Sequence, residues 1–404
     1  MVAALGAGLI VGQGATLYLF SLLLVPMQKE LGWSRAELSG AYAMSSLVLG
    51  LAGLPVGRLI DRSGPRAPWM TGAALGALCL LAVSLIHQPW QFYLFWGLGL
   101  GVAGALMSLQ VASTTVANWF FRRRGRALAI LTVLVGLTAP LYVPAASWLI
   151  THLGWREAVA ILAIAFVAVP LPLGLLLRRR PEDVGLRPDG DPAPVGGTEK
   201  SPDLDAFAFR EAMRSPAFWT LTISTLFSAT ALGAVTAHQV AHMIGRGTDP
   251  NVAASLIGVL GLLSIPGRFF FIAATDWLGA RRMLVSVIGI QTVGLVILTL
   301  GHSTAWFLAY SIVYGAAAGS AFGVRASMMA AMFGRRAFGS ISAVFQLFVY
   351  VGTAIGPIGA GLLYDRLHSY DVAFTIATLM TGATIAGLLL IPRTRLERRQ
   401  EVPT

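Results

Sequence analysis

The chain has 404 residues, of which 56% are hydrophobic and only 12% charged, against about 45–50% and about 25% for an ordinary soluble domain. With a mean hydropathy of +0.73, it carries too few charges to coat two or three soluble domains, which excludes a soluble enzyme. The single cysteine, Cys79, excludes an intrachain disulfide and a cysteine-based metal cluster, while the net charge of +11 has to be placed before it can be read.

Twelve apolar segments follow in chain order, at 3–25, 38–60, 69–87, 91–117, 126–150, 157–177, 216–243, 252–275, 282–301, 305–331, 340–362 and 371–391. Each is long enough to cross a bilayer. None alternates with a period of two, which excludes a β-barrel. The first begins almost at Met1 without a basic flank or a small-residue cleavage site, and reads as a retained helix. Between the sixth and seventh lies a polar stretch, 178–215, with Pro181, Pro188, Pro192, Pro194, Gly196 and Gly197. It reads as a flexible cytoplasmic linker with a short surface helix around Asp205–Met213. The prediction is an all-α membrane protein of twelve transmembrane helices in two six-helix bundles, 1–177 and 216–404, the second ending in a short basic tail.

The arginines set the orientation. With the N-terminus cytoplasmic, the inner connections hold 22 basic residues and the outer ones five, namely Lys29, Arg35, Arg156, Arg246 and Arg366. That bias places both termini in the cytoplasm. It also spreads the positive charge thinly along one membrane face, so nucleic acid is not expected as a partner.

The halves repeat each other. Asp61, Gly64 and Arg66 form D-x-x-G-x-R after the second segment, and Asp276, Gly279 and Arg281 repeat it 215 residues later. Phe120-Phe121-Arg122-Arg123 is matched by Phe333-Gly334-Arg335-Arg336, and Gly136 and Pro140 by Gly352 and Pro357. An even number of segments separates the copies, so both halves share one topology. This is the parallel repeat of a transporter with its site between the halves.

The run from Gly57 to Arg66, GRLIDRSGPR, resembles the G-x-L-x-D-R-x-G-x-R loop signature of the major facilitator superfamily. That resemblance covers essentially the whole chain and implies the major facilitator fold. A narrower resemblance is to bacterial monocarboxylate-transporter-like and oxalate–formate-exchanger-like members. It rests on Glu30-Leu31-Gly32-Trp33-Ser34-Arg35, on Asn118-Trp119-Phe120 with Arg122-Arg123-Arg124-Gly125, on Leu153-Gly154-Trp155-Arg156, and on Arg180 to Leu186.

Arg268 is the sharpest chemical signal, because it stands near the middle of the eighth segment. Burying an arginine there costs about 2.5–3.5 kcal/mol on insertion scales, so it should face a partner or a watery cavity. Asp and Glu occur in the twelve segments only at the first position of two of them, Glu157 and Asp371, and none lies in a segment interior. A guanidinium without a carboxylate partner suits a carboxylate substrate through a bidentate bond. In the family that the chain resembles, an arginine at this place binds the substrate carboxylate. The sequence departs from eukaryotic monocarboxylate transporters at Ser264, where many of them have an aspartate, and by having no lysine in the first segment before Lys29. It departs from oxalate exchangers in lacking a lysine in the eleventh segment.

Arg325, about two turns from the cytoplasmic end of the tenth segment, is within snorkelling reach of that end. It reads as a gating or structural residue, the alternative being a second substrate contact that would favour a dianion. His238 and His242 share one helix face, four residues apart, without a nearby cysteine or carboxylate. No metal site is expected, and His238 is the candidate for proton coupling. Asp61, Arg62, Arg66, Asp276 and Arg281 are candidate conformational latches at helix ends. Tyr142, Tyr314, Gln110 and Gln346 are candidate cavity-lining residues, alongside Gln13, Tyr18, Ser113 and Tyr350.

No Walker loop or nucleophile elbow is present, so no cofactor is expected and transport energy comes from gradients. The sequence therefore predicts a monomeric secondary transporter of the inner cell membrane, moving a small organic carboxylate by alternating access. Proton-coupled symport of a lactate- or pyruvate-like monocarboxylate is the preferred reading. The alternatives are an oxalate or dicarboxylate exchanger using Arg268 and Arg325, and a non-transporting sensor on a transporter scaffold.

Overall fold

The computed structural model describes residues 1–120, 124–178, 207–334 and 338–392. Among the described residues there is no strand, and twelve long helical segments account for almost everything. They are α1 (Val2–Leu31), α2 (Arg35–Ser63), α3 (Arg66–Val83), α4 (89–119), α5 (124–153) and α6 (Trp155–Leu175) in the first half. The second half comprises α7 (Pro216–Gly245), α8 (Pro250–Leu278), α9 (Ala280–Leu300), α10 (Thr304–Phe333), α11 (Phe338–Leu367) and α12 (Asp371–Leu390). A 20-residue helix spans about 30 Å, the thickness of a bilayer's hydrocarbon core. Among the described residues eleven of these segments are long and apolar enough to cross a membrane, and α2, at 29 residues, completes the set of six in the first half.

Eight of the predicted segments sit inside longer observed helices, while 69–87 overruns its helix past Val83, 157–177 past Leu175, and 282–301 and 371–391 by one residue each. α1 continues past Pro26 to Leu31, and α11 runs to Leu367. Hydropathy falls off before the backbone hydrogen bonds do, so Glu30 and Asp365 ride on the last turns of helices and not on loops. The predicted surface helix lies at Phe209–Arg214, a few residues later than expected. Phe207 precedes it, with its amide bonded to the Phe333 carbonyl at 3.0 Å and its ring edge-on to the Phe333 ring. Most of the predicted linker, 179–206, lies outside the described residues.

The repeat is visible in the backbone. Gly64 and Gly279 both take positive φ, 78° and 81°, at the tight turns that follow α2 and α8. A residue with a Cβ is disfavoured there, which explains the glycine in both D-x-x-G-x-R copies.

A second repeat was not apparent in the motifs. Arg156 at the start of α6 donates to Glu30 on α1 at 2.7 Å, and to the carbonyls of Ser84 and Ile86 beyond α3 at 2.8 and 2.9 Å. Trp155 adds an indole bond to the same Glu30 carboxylate at 2.6 Å. In the other half Arg246 on α7 binds Asp371 at the start of α12, and donates to His302 Nδ1 beyond α9 at 2.7 Å. Glu30 and Arg246 stand 216 residues apart, and Arg156 and Asp371 stand 215 apart. Each half thus ties its first, third and sixth helices together at the same face, with acid and base exchanged between the copies.

Across the halves α2 packs on α11, α5 on α8, and α1 on α7. The face with the 31–35 and 367–371 connections is called here the Arg35 face, and the opposite one the Gly57 face. Cross-half polar bonds gather at the Arg35 face, where Ser147 of α5 donates to Asn251 Oδ1 of α8 at 3.0 Å. Towards the Gly57 face, a cavity of about 210 Å³ is lined by Gly53, Val56, Gly57 and Ile60 of α2 and by Ser108, Gln110, Val111 and Thr114 of α4.

Candidate functional site

Arg268 lies two residues after Pro266, within α8. Its side chain runs over Gly319 of α10. A Cβ at that glycine would stand only 2.7 Å from Arg268 Cγ and 2.9 Å from Cδ, so the absence of a side chain makes the bed for the arginine stem. The guanidinium crosses to the first half, where Nη1 donates to the Thr132 carbonyl of α5 at 3.1 Å. Nε is buried without a hydrogen-bond partner. No Asp or Glu forms an ion pair with Arg268 among the described residues. Ser264, at the position where an acid was a possibility, bonds back to the Gly261 carbonyl of its own helix at 2.7 Å.

Three more polar groups are buried without a hydrogen-bond partner on the helices that flank this arginine. They are Thr138 Oγ1 and Tyr142 OH on α5, and Ser320 Oγ beside Gly319. Each such group costs about 1–3 kcal/mol if nothing satisfies it. Tyr142 holds its ring against Gly14 of α1.

The other predicted cavity residues separate. Tyr314 packs its ring against that of Tyr310, with centroids 5.3 Å apart and the planes tilted. Gln346 stands one turn before Tyr350 on α11, and the Tyr350 ring packs against Gly50 of α2. Gln110 lines the cavity near the Gly57 face, away from Arg268. Arg325 does not snorkel: it turns inward, and its Nη2 donates to Ser228 Oγ of α7 at 2.7 Å. Ser228, buried in the second half, supplies the acceptor there.

His238 sits at the Arg35 face and not beside Arg268. It is fully buried, with Nδ1 2.9 Å from Tyr370 OH, and Nε2 3.0 Å from the Pro357 carbonyl and 3.2 Å from Ser39 Oγ of α2. His242 bonds to the Leu298 carbonyl at 3.2 Å, so the two imidazoles have separate partners. Among the described residues no three His, Cys, Asp or Glu side chains come together as metal ligands.

Of the predicted latches, Arg281 Nη2 donates to the Ile391 carbonyl at the end of α12, at 2.9 Å. Arg66 is exposed. The side chains of Asp61, Arg62 and Asp276 lie outside the described residues.

Two features escaped the sequence reading. Arg35, an outer connection charge by sequence, is only 6% exposed and binds across the halves to Asp365, which no sequence motif singles out. The signal available was the Ser34-x-x-Glu37 capping box, which fixes Arg35 as the first residue of α2. The Thr132 carbonyl escaped because a backbone acceptor has no residue-type signature.

Comparison with known proteins agrees with this architecture. Residues 4–301 and 245–404 match the profile of the Major Facilitator Superfamily. Monocarboxylate transporter 13 of Bos taurus is 27% identical over 350 residues, covering 84% of this chain and 77% of that protein. An uncharacterised MFS-type transporter of Bacillus subtilis is 25% identical over 391 residues, covering 92% and 90%. Among solved structures, a bacterial homologue of the human lysosomal transporter Spinster superposes with a TM-score of 0.70 at 16% identity, covering 96% of this chain and 94% of that one. The nucleoside transporter NupG does so with a TM-score of 0.70 at 12% identity, covering 96% and 98%. Profile matches along almost the whole chain, carried on twelve helices in two repeated sets of six, establish that this multi-pass membrane protein belongs to the Major Facilitator Superfamily of transporters and is not an enzyme.

Proposed function

We propose that the chain is a proton-coupled symporter of small monocarboxylates, of the lactate or pyruvate kind, with Arg268 as the carboxylate anchor. The observation that carries this reading is the Arg268 guanidinium itself. It lies deep in α8 with a buried Nε that has no partner, one bond to a carbonyl of the other half, and no acidic ion-pair partner among the described residues. A carboxylate satisfies such a group with two charge-assisted bonds, and a cation does not. Relatives named as monocarboxylate transporters support the same substrate class.

A single anchor favours a monoanion. Arg325 is engaged with Ser228, which leaves Arg268 as the intramembrane arginine with an unsatisfied buried donor among the described residues. A dicarboxylate exchanger would need Arg325 to exchange that bond for the substrate.

The excess of basic residues on connections at the Gly57 face supports a cytoplasmic location for that face and for both termini, in the inner cell membrane. The units 1–177 and 216–404 then move as two bodies joined by 178–215, with the substrate between α1, α5, α8 and α10. The protein works as a monomer.

The test is uptake of labelled lactate and pyruvate into proteoliposomes, with and without an inward proton gradient. Gradient-stimulated uptake supports the reading. Counterflow of oxalate that is insensitive to pH would replace it with exchange, and ligand binding without flux would replace it with a sensor.

A further inference from the structure

The Arg35 face is closed by side chains of both halves, and their donors and acceptors interlock. α2 begins at Arg35, where the first amides of a helix have no intrahelical acceptor. Asp365, near the end of α11 in the other half, accepts from the amides of Arg35 and Ala36 at 3.0 and 2.9 Å. A carboxylate from one half therefore neutralises the positive end of a helix in the other. Within α2's own start, Ser34 Oγ accepts from the Glu37 amide at 3.1 Å.

The Arg35 side chain turns back across the same junction. Its Nε donates to Gln28 Oε1 at 2.8 Å, and its guanidinium lies 3.5 Å from the centre of the Tyr364 ring. Nη1 donates to the Tyr370 hydroxyl, whose oxygen also faces His238 Nδ1. Helices α1, α2, α7, α11 and α12 with its leading turn all meet at this one cluster.

The chemistry fixes the protonation of His238. The Pro357 carbonyl only accepts, so Nε2 carries the hydrogen that points at it. The Tyr370 oxygen accepts from Arg35 and its hydrogen goes to Nδ1, which must be unprotonated. A proton arriving at Nδ1 removes the acceptor of the Tyr370 hydroxyl. It also sets an imidazolium and a guanidinium on one phenol oxygen. Of the other titratable and charged groups around His238, the Asp365 carboxylate attracts the imidazolium and offsets this only in part. Asp365 is held by the α2 amides, Tyr364 lies under Arg35, and His242, one turn along α7, is bonded to Leu298.

We propose that Asp365, Arg35, Tyr370 and His238 form a proton-operated latch: neutral His238 holds the Arg35 face shut, and protonation of His238 releases it. The latch stands on this geometry alone. Its use, as the step by which an external proton opens the protein towards an incoming carboxylate, rests on the symport reading above.

The latch is tested without substrate, by distance measurement. Cys79 is the single native cysteine, so a Cys79→Ala background accepts spin labels at Lys29→Cys and Arg366→Cys, exposed positions on either half at this face. Double electron–electron resonance in lipid nanodiscs at about pH 8 and about pH 5 brackets the ordinary imidazole range. A short-distance population at the higher pH, shifting to a longer one at the lower, is expected. Asp365→Asn should show the longer distance at both pH values, as should Tyr370→Phe, which serves if the first variant fails to fold. His238→Gln should stay short at both. An identical distribution at the two pH values in the parent would overturn the proposal, as would an acid response that persists in His238→Gln. Failure of lactate uptake alone, with the distance shift intact, would count against the substrate reading and leave the latch standing.

Discussion

Arg268 donates a hydrogen bond to the Thr132 carbonyl across the boundary between the two halves, at 3.1 Å. The same guanidinium is the group assigned to the substrate carboxylate, so the substrate and α5 compete for it. A carboxylate makes charge-assisted bonds, roughly twice as strong as a bond to a neutral carbonyl. Substrate binding then replaces a contact between halves with a contact to the ligand, which gives the ligand a preference between conformations. Without such a difference a ligand shifts no equilibrium.

Gly319 is the bed on which the Arg268 stem lies, and it should tolerate no side chain. Gly319→Ala places a Cβ within 2.7 Å of Arg268 Cγ and forces the guanidinium off its path. Uptake kinetics should show KM raised at least about tenfold, equivalent to about 1.4 kcal/mol of lost binding. Alanine is a good helix former, so the protein should remain folded on size-exclusion chromatography.

Tyr142 carries a buried hydroxyl with no partner. Tyr142→Phe removes that orphan, which should raise thermal stability by about 1 kcal/mol in the absence of substrate. If the hydroxyl serves the substrate, the same variant raises KM. A melting curve and an uptake assay on one preparation separate the two effects. Lower stability together with unchanged KM would assign Tyr142 to packing.

Ser228 accepts from Arg325, deep in the second half. Ser228→Ala leaves a buried guanidinium donor unpaired and should destabilise the protein by about 1–3 kcal/mol. The KM for a monocarboxylate should stay within about twofold, since Arg325 is not placed at the substrate. A large KM change with intact stability would bring Arg325 back as a second anion contact.

The paired clasps at the Arg35 face should both weaken when their arginine is lost, but unequally. Arg156→Ala and Arg246→Ala each free an acidic partner and remove hydrogen bonds to a neighbouring helix end. Both acids are about half exposed, so the ion pairs themselves contribute only about 0–1 kcal/mol. The larger effect in Arg156→Ala should come from the carbonyls of Ser84 and Ile86, which lose their donor. Thermal melts in detergent should therefore rank Arg156→Ala below Arg246→Ala. The reverse ranking would contradict that account.

Much of the fold was legible because hydropathy and the recurrence at about 215 residues are one-dimensional signals. Arg268 was legible for the same reason, since a charge inside an apolar run stands out. The helix ends were not. Polar last turns look like loops in sequence, which hid Glu30, Arg156 and Asp365 as members of defined contacts. The snorkelling reading of Arg325 failed because the position of Ser228 on a different helix is a tertiary fact. His238 stands out by its titration range, but its partners Ser39 of α2 and Pro357 and Tyr370 near the end of the chain are all far from it in sequence.

The central claim is that Arg268 holds the substrate carboxylate. Its most direct test is proton-gradient-driven uptake of labelled lactate by the wild type, Arg268→Lys and Arg268→Gln, reconstituted side by side after a matched folding check. The account predicts uptake by the wild type, loss of about a hundredfold in Arg268→Gln, and only partial recovery in Arg268→Lys, which keeps the charge but not the fork. Wild-type rates in folded Arg268→Gln would contradict it.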